Sequence, residues 1–572
     1  MSETPQITRR TLVKGLTLSS LLPALGANLV GCSDASGPAF DSVPASFGHG
    51  VASGDPLADR VILWSRLTPE REGRAAVEWE VSSDAGFTDI VASGAGATDA
   101  SVDYTVKVDA EGLQPGSSYY YRFRSGDTVS PTGRTRTLPE GMVGAVSFAV
   151  VSCSNYPAGF FNVYREVAQR DVDAVLHLGD YLYEYAADGY ASARAEEFGR
   201  VSQPPGELLT LADYRTRYAQ YHGDEDLQAA HGAHPFIIVW DDHEVANNAW
   251  RDGAQNHDPA TEGSFVERKR AAIQAWYEWL PVRPPTSVDE VIYRRFRYGD
   301  LVDLFMLDTR IVGRDEQNTY SEFVSGGMID VEAARAAFGD PARSLLGEAQ
   351  RDWLREELGN STARWQVLGQ QVLSGRYHLP APIMEALDPS IGGDALAAGA
   401  AAAIQARDAK RKAPSERSAD EQALLDSAIP YNLDAWDGYE YERDTLLAYA
   451  ADMDLKLVML AGDTHNVWNG QLTTPDARIA GVEFGCSSVS SPGLEEALPA
   501  GGAAFFEPLA TELIDDLVSV ELSRRGYLHL RLSPDRVEAS HYFVDTIDSR
   551  NYVVDAASTI EHSVNRADML LT

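Results

Sequence analysis

Four apolar runs, VSFAVVS, VDAVLHL, HPFIIVW and LKLVMLAG, frame the chain, because each is a continuous hydrophobic stretch of strand length that stops at polar residues. The first two flank a helical pattern within Val146 to Tyr185, which outlines a strand, a helix and a parallel strand. The runs stop at Cys153-Ser154-Asn155, at Asp180 with Tyr183 beyond it, at Asp241-Asp242-His243-Glu244 followed by Asn247, and at Asp463-Thr464-His465. In open α/β sheets ligands gather outside the carboxyl ends of strands, so side chains far apart in sequence can converge there.

Upstream, from Phe47 to about Pro139, the alternating pieces RVILWSRL, AAVEWEVSS, DYTVKVD and SSYYYRFRSG are separated by Gly, Asp and Pro turns, which predicts a small antiparallel sandwich. Its stretch Leu113 to Phe123 resembles the tyrosine corner of fibronectin type III domains. Downstream, FVERKRAAIQAWYEWLP predicts a helix, RRFRYGDLVDLFMLDTR a hairpin or strand ending at Asp308-Thr309-Arg310, and WQVLGQQVL a further strand. ARIAGVEFG, GYLHLRLS and RVEASHYFVD alternate as closing strands before an amphipathic tail, and the Ala-rich insertion between Ile391 and Leu424 predicts an exposed helix and loop without chemistry. Helices alternating with strands, then antiparallel strands, give an α+β fold: a mixed sandwich of two sheets flanked by helices behind an N-terminal β-sandwich.

At 572 residues the chain is too long for one ordinary core. A formal charge of −37 repels nucleic acid and anionic headgroups and excludes nonspecific nucleic-acid binding. Thr8-Arg9-Arg10-Thr11-Leu12-Val13-Lys14, ahead of a short broken apolar stretch, resembles a twin-arginine export signal, and Leu29-Val30-Gly31-Cys32 resembles a bacterial lipobox. The expected division is a signal at 1–32, a tether at 33–45, the β-domain at 46–139 and a catalytic domain with its tail at 140–572. The lipobox implies a lipid anchor on Cys32 and a periplasmic or cell-surface location. Lipidation would leave Cys153 and Cys486 as the one possible disulfide, and Cys486 itself reads as core.

Each strand ending alone has an ordinary explanation: an Asp caps a helix, a Cys packs, a His makes a structural hydrogen bond. Together they predict a metal site, since carboxylates gathered without cations would repel severely. Cys153, Asp180, Tyr183 and His465 form an anionic S/N/O set that suits ferric iron, because a phenolate needs a strongly charged ion to form near neutrality. Asp242, Asp463, a second oxygen of Asp180 and Asn247 suit Ca²⁺ ahead of Mg²⁺ or Mn²⁺. Such a pair of cations can activate water against phosphorus, with His243 giving a hydrogen bond or proton and Arg310 forking a phosphate or pairing with the nearby Asp cluster.

The order GD-x-x-Y, DDHE, GD-T-H resembles the calcineurin-like metallophosphoesterases, and SCSN, GDYLYEY, WDDHEVANN, LDTR and GDTHN behind a fibronectin-like domain resemble the PhoD-type alkaline phosphatases. The resemblance implies a β N-terminal domain, Fe³⁺ with Ca²⁺, twin-arginine export, and hydrolysis of small or polymeric phosphate monoesters and diesters. It places Cys153, Tyr183 and His465 on iron, Asp180 between the cations, Asp242 and Asp463 on calcium, and His243 as the catalytic histidine. A phospholipase D-like or cell-wall-polymer phosphodiesterase on the same scaffold is the competing reading. A surface adhesion protein with an inert metal site is a third, opposed by the intact donors at all four strand ends.

Overall fold

A computed structural model describes residues 40–285, 292–387, 396–554 and 556–572. The twin arginine and Cys32 lie outside these residues.

Two mixed sheets face each other. The nine-stranded sheet runs, in spatial order, Ile560–Asn565, Arg536–Val544, Arg525–Leu532, Val146–Val151, Ala174–His177, Pro235–Ile238, Val51–Gly54, Arg60–Arg66 and Thr105–Glu111. The seven-stranded sheet runs Arg294–Tyr298, Val302–Met306, Trp365–Gly369, Leu457–Ala461, Ile479–Gly485, Val467–Thr473 and Leu517–Glu521. Val146–Val151, Ala174–His177 and Pro235–Ile238 are parallel neighbours, and the helix Asn162–Ala168 joins the first two as the sequence pattern predicts. All four residues of Ala174–His177 and of Pro235–Ile238 are buried, which is why their sequences are continuous apolar runs rather than alternations. Phe148, Val150, Leu176 and Ile237 share one core with Leu304, Met306, Val367, Val458 and Leu460 of the opposite sheet. Burial of each such side chain contributes roughly 1.5–3 kcal/mol.

The N-terminal sandwich forms as predicted, but one of its layers is continuous with the nine-stranded sheet. A five-stranded sheet built from Ala75–Ser82, Ile90–Thr98, Ser118–Ser125, Gly133–Arg136 and Thr128–Val129 packs on strands of the nine-stranded sheet. Val51–Gly54 pairs antiparallel with Arg60–Arg66 and parallel with Pro235–Ile238, so the catalytic sheet continues into the sandwich. The sequence RVILWSR explains this placement. Val61 and Leu63 enter the sandwich core while Trp64 enters the main core, and a strand buried on both faces belongs between two layers. Trp64 Nε1 donates to Glu278 O at 2.9 Å and Lys107 Nζ to Tyr277 O, tying the sandwich to the helix Phe265–Trp279. The tyrosine corner is present: Gln114 N–H donates to Tyr119 Oη at 2.9 Å.

The Ala-rich insertion is more than an exposed helix and loop. Ala403, Ala406 and Ala409 of the helix Leu396–Lys410 are buried, and Lys410 Nζ donates to Leu513 O at 2.6 Å. Alanine at every third position makes a flat stripe narrow enough to dock on neighbouring helices. The C-terminal tail adds the edge strand Ile560–Asn565 and ends with Thr572 bonded to Ser563. Cys153 and Cys486 are both free buried thiols, so the possible disulfide is absent.

Candidate active site

The predicted donors converge at the carboxyl ends of both sheets. Cys153 Sγ, a carboxylate oxygen of Asp180 and a ring nitrogen of His465 lie within 4.8 Å of one another. Asp180 also groups within that span with Asp242 and His243, and Asp242 groups with Asp241 and Asp463. Asp180 and Asp242 are therefore shared, and the three groups form one continuous set. Tyr183 joins it directly: its hydroxyl donates to Asp180 Oδ2 at 2.9 Å and lies 3.0 Å from His465 Nε2.

The backbone is bent hard to achieve this. Cys153, Asp180, Asp463 and His465 have φ of 61°, 53°, 59° and 60°, the left-handed region that non-glycine residues rarely occupy. Each costs of order 1–3 kcal/mol and persists where surrounding structure over-determines it. Two devices hold the turn at Asp180. Gly179 has φ +110°, and a Cβ there would lie 2.3 Å from Asp241 Cβ, so the two strand-end turns touch through this residue. Glu244, wholly buried, accepts from Asp180 N at 3.1 Å, Tyr181 N at 2.7 Å and Asp241 N at 2.8 Å.

Orientation of the donors is also fixed. His465 Nδ1 lies 2.5 Å from Pro492 O, which can only accept, so Nδ1 carries the proton and Nε2 presents its lone pair toward Tyr183 and Asp180. Ser491 Oγ donates to Tyr183 Oη at 2.6 Å. Burial, then the Asp180 charge, pushes the Cys153 thiol well above its ordinary range, and the same two causes raise Tyr183. Ionising this thiol and phenol therefore requires a cation. Burial raises Asp463 against the pull of Arg310. One oxygen each of Asp180, Asp241 and Asp242 is buried without a hydrogen-bond partner. Unpartnered buried carboxylate oxygens beside a thiol, a phenol and an oriented imidazole are what a cation site demands, and the donor set fits one.

Asp180, Tyr185, Tyr190, Asp242, His243, Asn247, Asn248, Asp463 and His465 line a pocket of about 240 Å³. His243 Nδ1–H donates to Glu184 Oε2 at 2.7 Å, which leaves Nε2 for the pocket. Burial opposes protonation of this ring, but the carboxylates of Asp242, Glu184 and Asp180 outweigh it and raise His243 well above its ordinary range. Asn247 lines the pocket, although its Oδ1 already accepts from Tyr185 Oη at 3.0 Å and its Nδ2 donates to Gln255 at 3.1 Å. Asn155 is buried with both amide atoms unpartnered, and it is absent from that lining.

Of the two roles open to Arg310, a phosphate fork or a partner of the Asp cluster, its contacts are those of the second. It is 0% exposed, its Nε donates to Asp241 Oδ1, its Nη1 to Asp434 Oδ2 at 2.5 Å and its Nη2 to Asp463 Oδ1 at 2.7 Å. With all three nitrogens bound to carboxylates and the side chain fully buried, the guanidinium neutralises the acidic cluster from behind. The sequence reading missed Asp241, Glu184, Glu244, Ser491 and Asp434. Asp241 and Glu244 stand inside the DDHE block and Glu184 inside GDYLYEY, so their position next to proposed donors was the available signal. Ser491 and Asp434 come from segments with no motif of their own.

A sandwich of two mixed sheets thus carries a shared-carboxylate donor set at its strand ends. Comparison with known proteins gives the class. Residues 148–541 match the model of the PhoD-like phosphatase family, and residues 31–139 match that of the PhoD-like phosphatase N-terminal domain. The chain is 35% identical over 498 residues to alkaline phosphatase D of Bacillus subtilis (strain 168), covering 84% of this chain and 74% of that protein. A solved structure of PhoD superimposes with a TM-score of 0.74 at 31% identity, over 94% of this chain and 93% of the other. The chain belongs to the PhoD-like phosphatases and is a phosphoric ester hydrolase.

Proposed function

We propose that this protein is an exported, metal-dependent alkaline phosphatase that hydrolyses phosphate monoesters and diesters. The observation that carries the reading is the single carboxylate of Asp180, shared between the group holding Cys153 and His465 and the group holding Asp242 and His243. Cys153, Asp180, Tyr183 and His465 would hold ferric iron, with three anionic donors matching a trivalent ion. Asp180, Asp242 and Asp463, with Asn247 at the rim, would hold Ca²⁺. Bound there, the cations would supply Lewis-acid polarisation of the phosphoryl group and acidification of water.

The chain's own residues supply the rest. His465 is held in one tautomer by Pro492 O, and Tyr183 is aligned by Ser491, so both donors are oriented before anything binds. Glu184 fixes His243, and the Asp242, Glu184 and Asp180 carboxylates raise its ring well above its ordinary range, which favours an N–H at the pocket that can donate to a phosphoryl oxygen or protonate a departing alkoxide. Asp242 is held by Asn248 N, which donates to Oδ2 at 2.5 Å. Arg310 balances the charge of Asp241 and Asp463. The twin arginine and the Leu29-Val30-Gly31-Cys32 sequence support export and lipid attachment at Cys32.

EGTA should abolish hydrolysis of p-nitrophenyl phosphate, with recovery on adding Ca²⁺; full activity after exhaustive chelation contradicts the assignment. Rates on p-nitrophenyl phosphate, its bis-ester and phosphatidylcholine decide between the phosphatase and the phospholipase D-like reading. Lipid labelling lost in Cys32→Ala would establish the anchor.

A further inference from the structure

Arg310 poses a problem that its own contacts do not solve. Its guanidinium bonds Asp463 Oδ1 at 2.7 Å and stands 3.7 Å from Asp242 Oδ1, the same two carboxylates assigned to the hard cation. A buried +1 charge at this distance competes with that cation for its ligands. The site can bind only if the guanidinium is prevented from closing further on Asp242.

Asp434 meets this need. It lies after the strand Ala428–Pro430, outside every predicted motif, and accepts from Arg310 Nη1, whereas Asp242 Oδ1 faces Nη2 at 3.7 Å. Arg314, also 0% exposed, donates through Nη2 to Asp434 Oδ1 and to Asp434 O, and through Nη1 to Thr309 O at 3.2 Å. Asp434 N–H in turn donates to Asn432 Oδ1 at 2.9 Å. The Asp434 carboxylate is thus clamped between two buried arginines and tied to its own loop. Charge counting agrees: Asp241, Asp242, Asp434 and Asp463 against Arg310 and Arg314 leaves a deficit that one divalent cation would neutralise.

We propose that Asp434 is a positioning residue that holds Arg310 back from Asp242 and thereby sets the affinity of the hard-cation half of the site. This rests on the two-cation reading above. Removing the Asp434 charge acts twice in the same direction: Arg310 becomes free to close on Asp242, and the cluster gains one unit of positive charge.

The test is calorimetric titration of Ca²⁺ into iron-loaded protein, with the visible charge-transfer spectrum recorded on each sample. Asp434→Asn should weaken Ca²⁺ binding by about 10–100-fold while leaving the iron spectrum in place, as outer-shell substitutions at metal sites typically do. A purely structural role would instead lower the melting temperature and disturb the iron spectrum together, leaving the Ca²⁺ affinity of the folded fraction unchanged. If Asp434→Asn does not fold, Arg314→Lys keeps every charge and loosens only the clamp, and should weaken Ca²⁺ binding in the same direction while leaving the iron spectrum in place. Ca²⁺ affinity equal to wild type in a folded variant overturns the inference and spares the two-cation reading. Absence of Ca²⁺ binding in the wild type overturns both.

Discussion

Gly179 offers a direct way to ask whether contact between the two strand-end turns holds the site together. In Gly179→Ala the new Cβ meets Asp241 Cβ at 2.3 Å and Asp241 N at 2.6 Å, and the residue must still adopt φ +110°. The backbone term costs about 1–2 kcal/mol and forced overpacking about 1–3 kcal/mol, or roughly 2–5 kcal/mol together. That is survivable against a typical stability of about 5–15 kcal/mol, so the variant should fold. Relief of the collision has to separate Asp180 from Asp241, and a displacement near ~1 Å at a reacting centre costs about 10²-fold. Urea unfolding should show a lower midpoint with the slope kept, and kcat/KM for p-nitrophenyl phosphate should fall by about 10²-fold. Gly126→Ala separates the two causes, because Gly126 also has positive φ (+57°) but nothing within 4 Å of its Cβ. It should lose stability alone. A Gly179→Ala enzyme with wild-type stability and activity would refute the argument that this contact sets the donor geometry.

Three further outcomes follow from the same geometry. Glu184→Gln removes one of the carboxylates that raise His243, so the alkaline limb of the kcat/KM profile should move to lower pH; an unmoved limb would mean that Glu184 does not support His243. Tyr119→Phe deletes the acceptor for Gln114 N–H and should cost about 0.5–1.5 kcal/mol in denaturant unfolding without changing turnover, since the corner lies in the sandwich. His541 is held neutral by burial, with its pKa lowered to about 3, so its stabilising contribution is full above its unfolded value of 6.5 and is lost as pH falls toward 3. Wild type should therefore lose about 1.4 kcal/mol per pH unit from this residue below pH 6.5, a slope that His541→Gln should remove.

Much of the site was legible because strand ends are visible in sequence. The runs that stop at Cys153, Asp180, Asp242 and Asp463 are buried on both faces, and burial makes them continuous and easy to delimit. Their polar ends meet because parallel neighbours align their carboxyl termini. What stayed hidden depends on contacts between segments with no shared pattern. Arg310 read either as a phosphate ligand or as a partner of the Asp cluster, because a motif gives a residue's identity but not its partners, and its partners Asp241, Asp434 and Asp463 are 69, 124 and 153 residues away. The Ser491-Pro492 loop orients Tyr183 and His465 through one hydroxyl and one carbonyl, groups that any serine or peptide carries. The shared sheet was hidden for a related reason: RVILWSR reads equally well as a sandwich strand or as a strand between two layers, and only pairing with Pro235–Ile238 decides it.

Metal analysis combined with visible spectroscopy of the purified protein tests the central claim most directly. Convergence of Cys153, Asp180, Tyr183 and His465 on one cation predicts stoichiometric iron, an absorption band from thiolate or phenolate charge transfer, and loss of iron, colour and hydrolysis together in Cys153→Ala. A colourless, iron-free preparation with full phosphatase activity, or a Cys153→Ala variant that keeps both colour and turnover, would contradict it.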